Sequence, residues 1–458
     1  MVRVIRETHL SLSNAVNLTR LGLAVLIVVA LPWLTPNAGQ PRVVAQEPSH
    51  LPIVAKATSL AGTFASQVPG LEGVKILPAE AELTSNQRLI TLPGAALQSK
   101  NGAIGLKSLA DYDGRAPLPT LETAFLLHEA RMVDLELTLD RGRLDLVNIK
   151  SEGPATARIR FWDQVWTITL DSPGSQVDLQ LYGRWPPGSR FRVAGQPGSA
   201  KVSGPVADLV LLVVKGSAAV DVGGLSYGLK TPPGPAILGW DSVTGTNPQP
   251  QKVEQMPVWA DSGAVASERG KLAAAAVERF RAARAESPST AQDTFFRSMD
   301  SYDRRVALVN IGATDDLTSL VKAISGAKTP EVWDFAIRVA RHWLGRCAGQ
   351  DQKFYAALIS PQHGYSPAQA RIIMRLLFGF SGEDLKRPET YEVLIDYLNH
   401  DQSIIRNLAA WHLVRTVPEG KSIVYKPGST QEECVATARA WKKLIPTGHL
   451  PTQSAKKD

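Results

Sequence analysis

The chain has 458 residues, 44% hydrophobic and 20% charged, a balance that excludes a disordered polymer and leaves room for two or three domains. Its formal net charge of +7 is scattered, with no run of five Lys or Arg, so it lacks the clustered basic stripe of a nucleic-acid binder and no nucleic-acid partner is expected. Two cysteines, Cys347 and Cys434, are too few for a disulfide-stapled scaffold; both stand in helical-looking stretches and read as buried free thiols, with a single bridge as the alternative.

Residues 1–40 form the first predicted element. Leu21 to Leu34 reads LGLAVLIVVALPWL without a charge, and Arg3, Arg6 and Arg20 precede it. A basic region, an apolar run and a polar flank make a signal peptide or signal anchor. The run is about 14 residues, short of the roughly 20 that span a bilayer comfortably. The three arginines stay on the cytoplasmic side. The expectation is a single-pass inner-membrane protein whose periplasmic bulk begins near Pro41. Secretion after cleavage, near Val43-Val44-Ala45, is the alternative.

Residues 41–70 are rich in Pro, Gln, Ser and Ala and read as a linker. Residues 71–242 read as a β-rich domain. DLELTLD (134–140), RLDLVNI (143–149), ARIRF (157–161), VWTITL (165–170) and VDLQL (177–181) alternate apolar and polar residues between Gly, Pro, Asp or Ser breaks. Strands about ten residues apart with turns between them predict an antiparallel β-sandwich-like domain. Residues 243–266 read as a second linker.

Residues 267–450 read as helical, with 451–458 as a tail. SERGKLAAAAVERFRAARA opens this part with a Ser cap. Three later stretches repeat a spacing of one residue, a small Ala three on, and an apolar residue four further: Arg304/Ala307/Ile311, Trp333/Ala336/Ala340 and Arg406/Ala409/Leu413. Asp303, Pro330 and Asp401 stand where those helices would begin. Small residues on one helical face admit a close neighbour, the mark of stacked helical hairpins. The predicted fold class is α+β multidomain: an N-terminal membrane segment, the sandwich-like domain, then a helical array.

On Arg304/Ala307, Pro330/Trp333/Ala336 and Asp401/Arg406/Ala409, roughly residues 295 to 418 resemble HEAT-type repeats. Residues 135 to 241 are similar to FecR-like extracytoplasmic domains. That likeness rests on Arg141-Gly142-Arg143-Leu144, ARIRFWDQVWTITL, and LVLLVVKGSAAVDVGG leading to Pro233-Gly234. Together the parts resemble membrane-anchored proteins of planctomycete-type bacteria. FecR-like regulators carry a cytoplasmic sigma-binding region ahead of the membrane segment. Here about 20 residues precede it, too few for a folded domain.

No motif compels a chemistry. Gly224-Leu225-Ser226-Tyr227-Gly228 matches G-x-S-x-G, but prolines follow where a nucleophile elbow needs a helix, so a β-turn is expected. Ser325 to Lys328 fits S-x-x-K at what reads as a helix end. The histidines, among them His342, His400 and His412, lack paired metal spacing and read as structural. Asp134, Asp140, Asp145 and Asp178 alternate along strands; two of them at the right separation would make a glycosidase-like carboxylate pair. No catalytic residue, metal or cofactor is expected. Trp162 and Trp185, at turn positions, are the candidate binding residues; exposed aromatics there can stack on a sugar or anchor a protein.

The expected function is a non-enzymatic envelope binding or sensing protein. Its β domain would recognise a cell-wall or glycan ligand and its helical array would dock a protein partner. The alternatives are a structural or assembly scaffold and a carboxylate-based hydrolase.

Overall fold

The computed structural model describes residues 51–67, 73–111, 118–194, 204–245, 248–261, 267–326 and 328–452. The predicted membrane segment and Arg3, Arg6 and Arg20 lie outside them. Among the described residues no helix is long and apolar enough to cross a membrane.

Strands come first in the chain: β1 (Ile53–Ala57), β2 (Phe64–Gln67), β3 (Lys75–Ile76), β4 (Glu82–Thr84), β5 (Arg88–Thr91), β6 (Ala96–Ser99), β7 (Ile104–Leu109), β8 (Thr123–His128), β9 (Leu135–Asn148), β10 (Ala155–Phe161), β11 (Gln164–Leu170), β12 (Gln176–Arg184), β13 (Val206–Lys215), β14 (Ser217–Val222), β15 (Leu225–Lys230), β16 (Gly234–Asp241) and β17 (Pro250–Val253). Helices follow: α1 (Glu268–Glu286), α2 (Pro288–Phe296), α3 (Ser301–Ala313), α4 (Leu317–Gly326), α5 (Pro330–Gly345), α6 (Gln350–Ile359), α7 (Pro367–Phe378), α8 (Pro388–Tyr397), α9 (Ser403–Thr416) and α10 (Gln431–Leu444).

Pairing runs β3-β2-β5-β8-β9-β10-β11-β14-β15 along one side and β4-β1-β6-β7-β9-β12-β13-β16-β17 along the other. The 14-residue β9 belongs to both. Its first half pairs with β8 and β10, and its second half with β7 and β12. The change falls at Gly142, whose φ of 102° suits glycine, and a Cβ there would overlap the Glu122 carbonyl and Thr123. Alternation then sorts the side chains: in β10 and β11, Ile159, Phe161, Trp166, Ile168 and Leu170 turn inward. They meet Leu83, Leu97, Leu106, Leu144 and Leu146 from the other side in one core.

One pairing corrects the expected antiparallel arrangement: β9 and β10 are parallel. The bend in β9 explains it. The strand curls until Lys150 Nζ lies 3.0 Å from Asp134 Oδ2, so a short connection restarts the chain beside β9's own beginning. No crossover helix is needed.

The linker boundaries also differ from expectation. β1 and β2 occupy the stretch 41–70, and β17 occupies 243–266. Ala260, with Met256 and Trp259 beside it, packs on Leu212 and Ala236. Arg284 of α1 donates to the carbonyls of Gly62 (2.7 Å) and Thr63 (3.0 Å). From Leu51 onward, strands and helices form one compact unit. Polar, proline-rich composition here marks surface connections that are docked rather than free.

The helices start on local signals. Ser267 caps α1 through Gly270 N, Pro330 opens α5, and capping boxes start α7 (Ser366, Gln369) and α10 (Thr430, Glu433). α3 is capped by Asp300 instead of Asp303, and α9 follows Gln402 instead of Asp401. Ala307, Ala336 and Ala409 are all fully buried where helices meet. Cys434 is buried in α10, but Cys347 is exposed in the loop after α5, correcting its expected burial; both are free thiols.

Candidate functional site

The strands and the helices meet along β12 and α5. Gly183 and Gly345 lie backbone to backbone there. Just beyond, Trp185 is buried, stacks on Phe378 at 4.5 Å and donates its indole N–H to the Leu344 carbonyl at 3.0 Å. Phe191 follows it onto Tyr355 (4.9 Å). The turn Pro186-Pro187-Gly188 is therefore docked on helices, with Gly188 N donating to Gly379 O at 3.2 Å. This corrects the expectation for Trp185. A tryptophan before Pro-Pro-Gly reads as exposed only while the helical surface that receives it is out of view.

A closed ion network sits deeper in the same seam. Glu122, 1% exposed, takes a hydrogen bond from Arg141 Nε at 2.7 Å and from Arg346. Arg346 also reaches Asp315 (3.1 Å), which accepts the Trp343 indole N–H (2.7 Å), and Arg141 reaches the Ala313 carbonyl (3.1 Å). Burial alone would raise the Glu122 pKa, but Arg346, His342 and Arg141 outweigh it and hold the carboxyl well below its usual range. Burial pulls Arg346 down to about 10, and the group stays charged at neutral pH. Two guanidiniums face two carboxylates, so this network balances in charge and clamps the seam.

Beside it opens a cleft of about 390 Å³, lined by Arg269 of α1, Arg305 of α3, Asp334, Phe335, Arg338, Arg341 and His342 of α5, Trp411 and Arg415 of α9, Tyr182 of β12, and Asp111, Pro119 and Leu121. Five guanidiniums face two carboxylates. Asp334 is shared: it receives Arg338 (2.9 Å), Arg415 and the Trp411 indole N–H (2.8 Å). Arg305 and Arg341 have no carboxylate partner among the described residues. Arg305 lies over the rings of Tyr302 (5.0 Å) and Phe335 (5.6 Å). Arg341 lies over Trp411 (5.3 Å) and donates to the Leu377 carbonyl (2.8 Å). Burial pulls the Arg341 pKa below its ordinary value. A partly buried cation without a counter-charge is costly, and π faces and one carbonyl offset only part of that cost.

Sequence reasoning did not assemble this cleft, because its arginines come from four helices. The available signals were short-range: Asp334, Arg338 and Arg341 at helical spacing, and Trp411 and Arg415 four apart. His342 is buried and stacks on Tyr182 at 5.6 Å, with Nε2 3.5 Å from Glu122 Oε1.

Trp162 stands apart from Trp185. It is 43% exposed in the β10–β11 turn, with φ of 49°, a left-handed conformation that a bulky residue rarely takes. The exposed Val165 and Leu225 belong to the neighbouring strands β11 and β15. Ser226 lies within β15, after a turn at Gly223-Gly224, in no elbow geometry.

Asp145 and Asp178 do come together, as cross-strand partners on β9 and β12. Arg143 holds Asp178 at 2.6 Å and donates to the Trp259 carbonyl at 3.1 Å. Burial and the adjacent Asp145 push the Asp178 pKa up to about 7 against the pull of Arg143; burial also raises that of Asp145. A cavity of about 610 Å³ lies nearby, lined by Arg143, Trp259, Lys107, Asp111 and α1 residues, but neither aspartate lines it. Among the described residues no group of three His, Cys, Asp or Glu could hold a metal ion. No protein-family model, curated protein or solved structure matches this chain.

Proposed function

We propose that this chain is a non-enzymatic binding or sensing protein of the cell envelope, held by its N-terminal apolar segment, which takes an anionic ligand in the cleft between strands and helices. One observation carries the reading. Arg305 and Arg341, partly buried and without carboxylates among the described residues, face one cleft with three further guanidiniums. A ligand anion would supply the missing counter-charge in a geometry that guanidinium favours. The cleft replaces the Trp162–Trp185 surface as the recognition site. In this proposal the strands are FecR-like and the helices HEAT-like, and a protein partner docks on the helical part. The fully buried Ala307, Ala336 and Ala409 support the repeat reading.

The test is the melting temperature of the full-length protein in non-ionic detergent, with inorganic phosphate against chloride at equal ionic strength. A ligand of the folded state alone raises stability with its concentration. Phosphate is expected to raise the melting point, and Arg305→Gln or Arg341→Gln to remove most of the rise. Equal melting points in both salts would overturn the proposal.

A further inference from the structure

The cleft holds more than cations. Tyr182 contributes a phenol whose hydroxyl makes no hydrogen bond to another described residue, and burial raises its pKa, so it remains a neutral O–H. His342 stacks against that ring, and neither of its two buried ring nitrogens has a hydrogen-bond partner among the described residues. Burial lowers the His342 pKa. The neutral imidazole presents one N–H and one bare acceptor nitrogen, neither of them used within the described residues. Two uncharged hydrogen-bonding groups therefore share a wall with unneutralised guanidiniums. The volume of about 390 Å³ is that of a site for a small organic molecule rather than a bare inorganic ion.

We infer that the ligand is an anionic sugar unit, a hydroxylated ring bearing a phosphate or carboxylate. The guanidiniums of Arg305 and Arg341 hold the anionic head, and Tyr182 and His342 hydrogen-bond ring hydroxyls. The inference rests on the anion-site reading above and adds the hydroxylated body. A site built to hydrogen-bond hydroxyls rejects an analogue lacking them, because its polar groups are left unpaired.

The experiment is calorimetric titration of the full-length protein in non-ionic detergent near neutral pH with glucose 6-phosphate, glucuronate, n-hexyl phosphate and glucose. Glucose 6-phosphate should bind roughly five- to tenfold more tightly than n-hexyl phosphate, the worth of about one hydrogen bond. Tyr182→Phe keeps the ring and its stack on His342, so it should erase most of that ratio and leave n-hexyl phosphate unchanged. Binding of glucuronate in place of glucose 6-phosphate would support the inference and make the head a carboxylate. Equal affinity for glucose 6-phosphate and n-hexyl phosphate, untouched by Tyr182→Phe, would overturn it while the anion site stands. So would binding of glucose as tight as that of its phosphate. Silence from all three anions would overturn both readings together.

Discussion

Gly183 in β12 and Gly345 at the end of α5 touch through their backbones, so a Cβ on either would overlap the carbonyl group of the other. Neither strand nor helix favours glycine for its own sake. Here the missing side chains set how close the helices come to the strands. Gly345→Ala is expected to push α5 off β12 and destabilise by about 1–3 kcal/mol, the usual cost of overpacking. Denaturant midpoints measure it. A variant that unfolds with the wild type would show that this approach is not tight.

The two tryptophans should part company in stability. Trp185→Ala removes a buried ring and its hydrogen bond to Leu344 and should cost about 3–5 kcal/mol. Trp162 sits at positive φ in a two-residue turn, so Trp162→Asn should stabilise by about 1 kcal/mol through relief of that backbone. Thermal unfolding of the pair separates a seam residue from a surface residue. A stable Trp185→Ala variant would contradict the docked turn.

Asp145 and Asp178 give a pH signature. The folded Asp178 pKa, about 7, lies above its ordinary 3.8. The folded state thus keeps a proton that the unfolded chain has lost, and its advantage disappears as pH rises from about 4 through about 7. Over that window the slope approaches about 1.4 kcal/mol per pH unit. Asp145→Asn removes the repelling charge, lowers the pKa of Asp178 and should flatten the curve. Melting points between those limits check this; an unchanged slope would mean that Asp145 does not raise the Asp178 pKa.

Ala409 tests the helical packing. It is fully buried in α9, among contacts with α7, α8 and α4. Ala409→Leu should cost about 1–3 kcal/mol by overpacking. Melting with the wild type would place it on a loose surface.

Much of the fold was legible wherever a segment was long enough to show its period. β10 alternates over its whole seven residues and β11 from Trp166 to Leu170, and α1 carries its cap and composition openly; β9 reads in the sequence as two strands, 134–140 and 143–149, because the change at Gly142 breaks its alternation. Among the strands before them β3, β4 and β6 were not legible, because they hold two to four residues, at most two cycles of a two-residue period. Trp185 was misplaced for another reason: Pro186-Pro187-Gly188 specifies a turn but not whether something covers it. The cleft was invisible because Arg269, Arg305, Arg341 and Arg415 converge only once four helices have packed. Long-range charge placement leaves no spacing in the chain.

Glu122 is made 224 residues before Arg346, its partner across the seam. A growing chain can pair Glu122 with Arg141 early, yet Arg346 arrives only when α5 is complete. Until then the carboxylate has reason to stay in water, and the strands that would bury it remain open. Completion of the strand half thus waits on the helical half, and a chain cut short before residue 346 would present itself to proteases as unfinished.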